Sequence, residues 1–202
     1  LPGRPGFMRV LNAVAARAVK LRSFPFTENI EPFSKDYLPL LTRLDDEGLI
    51  GWNGASRKIT FPGLGSARYL NGFWLEEYVF ASLEGLPIAD SLRNVEVEWD
   101  GTGQKPLENE FDVVFTRGAR LYLISCKTAS LSRERDTLDK NPLYELFSLK
   151  ESAAGLFGRG LLVSASPMGE ALKKRADASG IDYLEGTELP YLREKIQAML
   201  DR

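Results

Sequence analysis

The stretch of sequence that decides the fold runs from residue 109 to residue 127 and reads NEFDVVFTRGARLYLISCK. Two apolar halves flank the segment Arg117-Gly118-Ala119-Arg120. A two-residue turn with glycine in its first position is typical of a tight β-hairpin, in which Arg117 would pair with Arg120. The stretch therefore predicts two antiparallel strands, Glu110 to Thr116 and Leu121 to Cys126.

The same pairing predicts a cluster of polar side chains at the open end of the hairpin. Counted back from the turn, the register sets Asp112 opposite Ser125 and Glu110 opposite Lys127, with opposed Cβ atoms about 4.5–5.5 Å apart. The alternation of side chains also places Phe111, Val113 and Phe115 together on one face.

Two interpretations of the pair Asp112 and Lys127 are open. A solvated cross-strand ion pair would contribute only about a few tenths of a kcal/mol to stability. The second interpretation is a functional site, because both halves of the hairpin are strongly apolar and a charge in such surroundings is costly unless it is used.

Composition narrows the chemistry that such a site could perform. The chain has no histidine, and Cys126 is its single cysteine. These counts exclude an intrachain disulfide, a thiolate metal cluster and catalysis by imidazole. Carboxylates with Mg²⁺ or Mn²⁺ remain. The single cysteine fits a reducing cytoplasm, and the absence of an apolar run of roughly 18 residues predicts no membrane span.

The N-terminal third predicts a small module of helices and a hairpin. Helical spacing indicates a helix from Met8 to Lys20 and another from Asp36 to Asp46, and a short hairpin follows around Asn53-Gly54. This order is typical of a winged-helix-like module, although any small α+β lead-in would look similar, and we assign residues 1–65 to a winged-helix-like or helical lead-in. The breaker-rich run from Pro62 to Ser66 marks the expected boundary with a main domain of residues 66–202.

The main domain is predicted to be an α/β unit in the order helix, three strands, helix, strand, helix. A further strand and a closing helix from about Thr187 complete it. Besides the hairpin, the predicted elements are Asn71 to Glu84, Val95 to Trp99, Pro142 to Phe157, Gly160 to Ser164, Met168 to Ser179 and Ile181 to Leu184.

The helix predicted from Asn71 contains a glutamate that faces inward. At about 100° per residue, Glu76 falls among Val79, Phe80 and Leu83, while Glu77 falls on the solvent stripe. Glu76 is either a buried, hydrogen-bonded residue or a third member of the site with Asp112.

The N-terminal arm is locally basic although the net charge of the chain is −2. A solvated basic helix face and a phosphate-contacting surface are both consistent with this pattern. The basic residues that precede Glu28, the first acidic residue, are Arg4, Arg9, Arg17, Lys20 and Arg22.

Three segments together carry a family resemblance. Residues 71–79 (NGFWLEEYV), 109–113 (NEFDV) and 124–128 (ISCKT) resemble the successive motifs of the PD-(D/E)XK nuclease domain in CARF-linked CRISPR ancillary nucleases. The resemblance continues through residues 143–146, 160–164 and 174–176, and therefore covers about Asn71 to Leu184. The region before Gly65 resembles the winged-helix-like connector of those proteins, and nothing resembles their CARF sensor domain.

The resemblance implies a restriction-endonuclease-like core that hydrolyses phosphodiester bonds with Mg²⁺ or Mn²⁺. In that reading Asp112 and the Cys126 backbone carbonyl bind the metal, Glu76 completes the site, and Lys127 orients water and stabilises charge on the phosphate. DNA or RNA would be the substrate, and a homodimer is left open.

One position departs from the motif. Ser125 stands where the motif has an acidic residue two positions before the lysine, and a hydroxyl is a poor ligand for a hard dication. Glu110 could substitute from the opposite strand. The alternatives are therefore an active nuclease of prokaryotic defence, a degenerate nuclease fold that binds nucleic acid or protein without cutting, and an unrelated α/β domain.

Overall fold

A computed structural model of the chain describes residues 4–99, 107–129, 131 and 142–202. The described residues form a three-stranded sheet near the N-terminus and a five-stranded sheet after it, with helices around both. In this part of the chain, no helix is both long enough and apolar enough to cross a membrane.

The N-terminal third contains two helices and an antiparallel sheet with strand order β1-β3-β2. Helix α1 starts at a proline, which is tolerated in the first helical turn. Strand β1 was not predicted, because it is only four residues long and its sequence, FTEN, carries no strong strand signal. The elements are α1 (Pro5–Leu21), β1 (Phe26–Asn29), α2 (Leu38–Asp46), β2 (Gly51–Asn53) and β3 (Lys58–Phe61).

The predicted start of the next helix at Asn71 is wrong. The helix begins as α3 (Leu64–Arg68), continues through a π-helical turn (Tyr69–Phe73) and becomes α4 (Trp74–Ala81). Gly63, in extended conformation, precedes the first helical residue and breaks the chain direction there. Asn71 is therefore inside the π turn and does not cap a helix.

The five-stranded sheet confirms the predicted mixed α/β architecture, with the hairpin in its middle. Strand order is β4-β5-β6-β7-β8; β4, β5 and β6 are antiparallel, whereas β6, β7 and β8 are parallel. The strands are β4 (Asp90–Trp99), β5 (Leu107–Arg117), β6 (Arg120–Lys127), β7 (Arg159–Ser164) and β8 (Ile181–Glu185).

Three helices accompany the C-terminal strands: α5 (Pro142–Leu149), α6 (Glu170–Ala178) and α7 (Leu192–Leu200). The regular part of α5 is shorter than predicted. A π turn and a 3-10 turn follow it, and Gly155 between them has a φ of 58° that an α-helix does not accommodate.

The core has two parts, one on each face of the five-stranded sheet. Successive residues of β6 contribute to opposite parts. Ile124 belongs to the cluster that contains side chains of α1 and α4, whereas Leu123 belongs to the cluster that contains side chains of α5 and α6. Phe111 packs with the Leu123 cluster, although Val113 packs with the Ile124 cluster. The prediction that Phe111 and Val113 share a face is therefore wrong. Asp112, which lies between them, is paired with neither β4 nor β6, so the regular alternation of β5 is interrupted there.

Candidate functional site

The hairpin between β5 and β6 has the predicted register up to a point where its strands part. Arg117 pairs with Arg120 across the turn, where Gly118 has a φ of 59°, and the paired ladder runs as far as Val113 and Ile124. It ends there. The predicted backbone pairing of Asp112 with Ser125 and of Glu110 with Lys127 is therefore wrong.

The reason is that β5 follows its other neighbour beyond this point. Phe111 and Glu110 pair with Val95 and Glu96 of β4, and Asn94, beside Asp112, has a φ of 53°. A left-handed residue within a strand bends it locally. The outcome is a fork in which β5 leaves β6 at Asp112.

Asp112 spans the mouth of this fork through one of its two carboxylate oxygens. Its Oδ2 accepts a hydrogen bond from the Cys126 backbone N–H at 2.6 Å and one from Ser125 Oγ at 3.3 Å, and it lies 3.6 Å from Lys127 Nζ. Among the described residues, Oδ1 makes no hydrogen bond and no ion pair. One oxygen of a carboxylate that is only 17% exposed is thus left available.

The same hydrogen bond defines where the Cys126 carbonyl points. The N–H and the C=O of one strand residue face the same neighbouring strand. Since the Cys126 N–H reaches Asp112, the Cys126 carbonyl also faces β5, at the open end of the fork. Burial, with the nearby charges of Asp112 and Glu76, raises the pKa of the Cys126 thiol, so its sulfur stays protonated.

Lys127 ends β6 with its backbone anchored and its amine partly exposed. The Lys127 carbonyl accepts a hydrogen bond from Ala165 N–H at 2.9 Å, which extends the pairing with β7. The side chain is 30% exposed beside Asp112. At this separation and exposure the ion pair contributes at most about 1 kcal/mol, so stability alone does not account for the arrangement.

A small cavity opens beside the fork on the α5 side of the sheet. Its polar lining consists of Glu110, Asp112, Ser125, Lys127 and Glu145, and apolar side chains of β5, β6 and α5 complete it. All four hairpin residues that were predicted to cluster are therefore neighbours of one cavity, although not through the predicted ladder.

Sequence analysis did not single out Glu145 as a site residue. It is exposed on α5, at helical spacing from Leu149, which lines the same cavity. This amphipathic position was visible in the sequence. Its approach to Asp112 was not, because α5 lies beyond the end of β6 and its packing on the sheet is a tertiary feature.

Glu76 approaches the site from the face of the sheet opposite the cavity and interacts with its residues through charge. Helix α4 packs on the Val113 and Ile124 face, and Glu76 is half-buried and is not among the residues that line the cavity. Burial and the negative charges of Asp112 and Glu110 raise the pKa of Glu76 to about 7, although Lys127 and Arg93 act in the opposite direction. Burial is the larger cause, and the contribution of the two carboxylates shows that Glu76 lies within electrostatic range of Asp112 and Glu110.

Carboxylate and carbonyl oxygens are the ligand type that a hard cation prefers, although the described residues do not form a complete set of ligands. Within the described ranges, no three Asp, Glu, Cys or His side chains lie close enough together to hold a metal ion. Mg²⁺ commonly binds through one or two carboxylates and keeps several waters. A backbone carbonyl and a carboxylate oxygen that has no partner among the described residues fit that mode of binding.

The basic arm has a solvated outer face. Arg4, Arg9, Lys20 and Arg22 are exposed. Arg17 forms an ion pair with Glu28 at 2.7 Å, so its charge is partly neutralised. The free positive charge of the arm therefore lies mainly on the other four residues.

Comparison with known proteins places the chain in a nuclease family. The family described as "Card1-like, endonuclease domain" matches residues 65–201. The chain belongs to this Card1-like endonuclease domain family. No match was found among curated protein sequences.

Two solved structures resemble the whole chain in fold. Protein VC1899 from Vibrio cholerae has a TM-score of 0.79 at 23% identity, over 98% of this chain and 51% of that one. Can2 from Sulfobacillus thermosulfidooxidans, solved with cyclic tetra-adenylate, has a TM-score of 0.76 at 21% identity, over 98% of this chain and 53% of that one. The chain therefore spans about half the length of both proteins.

The raised pKa of Glu76 predicts that the metal-free protein loses stability as the pH rises. A carboxyl group with pKa 4.5 when unfolded and about 7 when folded holds a proton only in the folded state between these values. The free energy of unfolding should fall through this window, by on the order of 1–2 kcal/mol after allowance for partial exposure. Glu76→Gln should flatten this slope in denaturant titrations at pH 5 to 8 with EDTA.

Glu77→Gln is the matched control, because Glu77 is the exposed neighbour that pairs with Arg93 at 2.9 Å. Identical pH slopes for the parent and Glu76→Gln would show that the carboxyl group of Glu76 is not under this electrostatic pressure.

Proposed function

We propose that the chain is a metal-dependent nuclease that hydrolyses phosphodiester bonds in CRISPR-associated prokaryotic defence. Residues 66–202 form a PD-(D/E)XK core, and residues 1–65 form a winged-helix-like lead-in. The Card1-like endonuclease family supports the nuclease assignment. The antiparallel sheet order β1-β3-β2 with its two helices supports the winged-helix-like lead-in.

The observation that carries this proposal is the state of the Asp112 carboxylate. Oδ2 accepts hydrogen bonds from the Cys126 N–H and Ser125 and pairs with Lys127, whereas Oδ1 has no partner among the residues that the structure describes. Three donors directed at one oxygen give the carboxylate a fixed orientation. A residue with only a structural role has no need of an oriented oxygen that, within the described part of the chain, is left without a partner.

Each residue of the site then has a distinct role. Asp112 Oδ1 and the Cys126 carbonyl would hold Mg²⁺ or Mn²⁺, with Glu76 and Glu110 as further acidic neighbours. The ion, when bound, supplies Lewis acidity and neutralises charge at the phosphate. Lys127 stabilises the negative charge that grows on the phosphate oxygens, in a site where Asp112 holds its amine in place. Glu76 completes the site from α4 as a carboxylate whose pKa is raised by burial and by Asp112 and Glu110 when no cation is bound.

Ser125 is the residue that favours a second function, which is binding without cleavage. Its hydroxyl donates to Asp112 and adds no charge to the site. A site with one fewer carboxylate binds a dication more weakly. A nuclease fold that binds nucleic acid or protein without cutting is therefore the alternative function.

The first functional prediction concerns Asp112 and Lys127. Asp112→Asn should abolish Mn²⁺ uptake in calorimetry, and Lys127→Met should lower cleavage at least about 100-fold while Mn²⁺ uptake persists. The assay uses labelled single-stranded and duplex DNA and RNA with Mn²⁺, Mg²⁺ or EDTA. Lys174→Met, an exposed lysine of α6, is the control.

Two results would contradict the nuclease proposal. Full cleavage by Lys127→Met would place catalysis elsewhere in the chain. Equal and negligible Mn²⁺ uptake by the parent and by Asp112→Asn, with no cleavage by either, would favour the binding function.

The second functional prediction concerns the vacancy at Ser125. Ser125→Glu should tighten Mn²⁺ binding by about tenfold and raise the rate of hydrolysis, because it adds a carboxylate next to Asp112 and Lys127. Calorimetry and initial cleavage rates measure the two effects.

If Ser125→Glu has no effect, another carboxylate of the cavity already fills the vacancy. Glu110→Gln or Glu145→Gln in the parent should then reduce Mn²⁺ binding, since both residues line the cavity. If none of the three substitutions changes Mn²⁺ binding or cleavage, the chain is a non-catalytic member of the nuclease family.

The third functional prediction concerns the basic arm, which we propose contacts phosphates. The double change Arg9→Ala and Lys20→Ala should weaken nucleic-acid binding and reduce the slope of log affinity against log salt concentration by about 1 to 2. Arg17→Ala should have less effect, because Arg17 is already paired with Glu28. An unchanged salt slope in the double variant would make the arm a solvated helix face.

A further inference from the structure

The backbone carbonyl of Asn71 is a junction between three parts of the chain. It accepts a hydrogen bond from Asn12 Nδ2 of α1 at 2.6 Å and another from Thr128 Oγ1 at 2.6 Å. Asn12 belongs to the lead-in, and Thr128 directly follows Lys127. All three residues are partly buried.

This carbonyl is located within the π-helical turn that connects α3 to α4. A π turn inserts an extra residue into a helix, so it rotates every later side chain by roughly 100° about the axis. Glu76 is the third residue of α4. The π turn therefore decides which way Glu76 faces, and a regular helix from Leu64 would direct it elsewhere.

A π turn is rare, and it interrupts the regular hydrogen-bond ladder of the helix, so its carbonyls need other donors. Asn12 and Thr128 both donate to the Asn71 carbonyl oxygen. Asn12 precedes the turn in the sequence, and Thr128 follows it. The Thr128 bond also connects the turn to the end of β6, immediately beyond Lys127. Through this bond the residue after Lys127 is connected to Asn71, five residues before Glu76.

We propose that Asn12 and Thr128 are positioning residues that hold the π turn and so set Glu76 against Asp112 and Lys127. The proposal rests on the proposed nuclease function for its catalytic consequence. It makes the lead-in part of the framework of the site, because one of the two donors belongs to α1.

The test removes each donor and compares the result with an equivalent loss elsewhere on the same helix. Thr128→Val and Asn12→Leu remove the donors at similar size, and Thr128→Ser keeps a hydroxyl. Ser82→Ala is the matched control, since Ser82 Oγ donates to the Tyr78 carbonyl at 2.7 Å near the other end of α4. Each variant is measured for Mn²⁺ affinity, for kcat and KM with nucleic acid, and for amide hydrogen exchange.

We expect Thr128→Val and Asn12→Leu to weaken Mn²⁺ binding at least threefold and to lower kcat about tenfold, with KM within about twofold, because misplacement of a reacting group acts on the chemical step. Amide exchange at residues 72–76 should become faster. Thr128→Ser should restore the parent values. Ser82→Ala should lower stability by a similar amount and leave Mn²⁺ affinity and kcat unchanged.

A double variant tests whether Thr128 acts through Glu76. In a Glu76→Gln background, Thr128→Val should reduce Mn²⁺ affinity by no more than about twofold, because residues that act through one another are not additive. Full additivity would overturn the positioning role. So would a Thr128→Val protein that retains Mn²⁺ affinity and kcat.

The proposed function and this inference fail in different ways. A parent protein that neither takes up Mn²⁺ nor cuts contradicts the function, and amide exchange then still tests the support of the π turn. Unchanged exchange at residues 72–76 in both Thr128→Val and Asn12→Leu contradicts the inference, whatever the activity.

Discussion

The hydrogen bond from the Cys126 N–H to the Asp112 carboxylate is the constraint on which the candidate site depends. A strand that loses its neighbour leaves backbone donors unpaired, and a buried unpaired donor costs about 1–3 kcal/mol. Where β5 leaves β6, the Asp112 side chain takes the place of the missing strand and accepts the Cys126 N–H at 2.6 Å. A charged acceptor makes this bond stronger than a neutral one. The fork is therefore stable because an acidic residue stands at its branch point, and the same residue is thereby oriented towards the cavity.

The electrostatic balance at the fork explains how Ser125 can stand beside Asp112. Glu76, Glu110 and Asp112 lie within electrostatic range of one another, and Lys127 forms an ion pair with Asp112. Burial and the two neighbouring negative charges raise the pKa of Glu76. A further carboxylate at Ser125 would add repulsion in the absence of a metal ion. The hydroxyl instead donates to Asp112 and relieves the site. Stability without metal and affinity for metal therefore favour different residues at this position, a trade-off common at functional sites.

Local signals in the sequence predicted what local interactions determine. Gly118 and the apolar alternation were sufficient for the hairpin, its register near the turn and the neighbourhood of Asp112, Ser125 and Lys127. They could not predict the fork, because it depends on the competition between β4 and β6 for β5 and on the left-handed Asn94. Glu76 was identified as inward-facing from helical periodicity. Its helix nevertheless starts seven residues earlier than predicted, at Leu64 instead of Asn71. The π turn between these positions was not predicted, but it precedes the residues whose periodicity was compared.

One buried cluster extends across residue 65, where the sequence predicts a domain boundary. Val14 of α1, Leu75 of α4 and Val113 of β5 belong to one buried cluster, and the Asn71 carbonyl adds a polar contact between α1 and the end of β6. Small rearrangements in packed interiors are transmitted because such interiors have few voids. A displacement of α1 would therefore shift the support of α4 before it reached the sheet, whose strands are paired on both sides of β6. Of the candidate site residues, Asp112 and Lys127 lie on the sheet, whereas Glu76 lies on α4, directly after the π turn that Asn12 of α1 contacts. Under the positioning role proposed for Asn12, a shift of α1 would move Glu76 and leave in place the hairpin that carries Lys127.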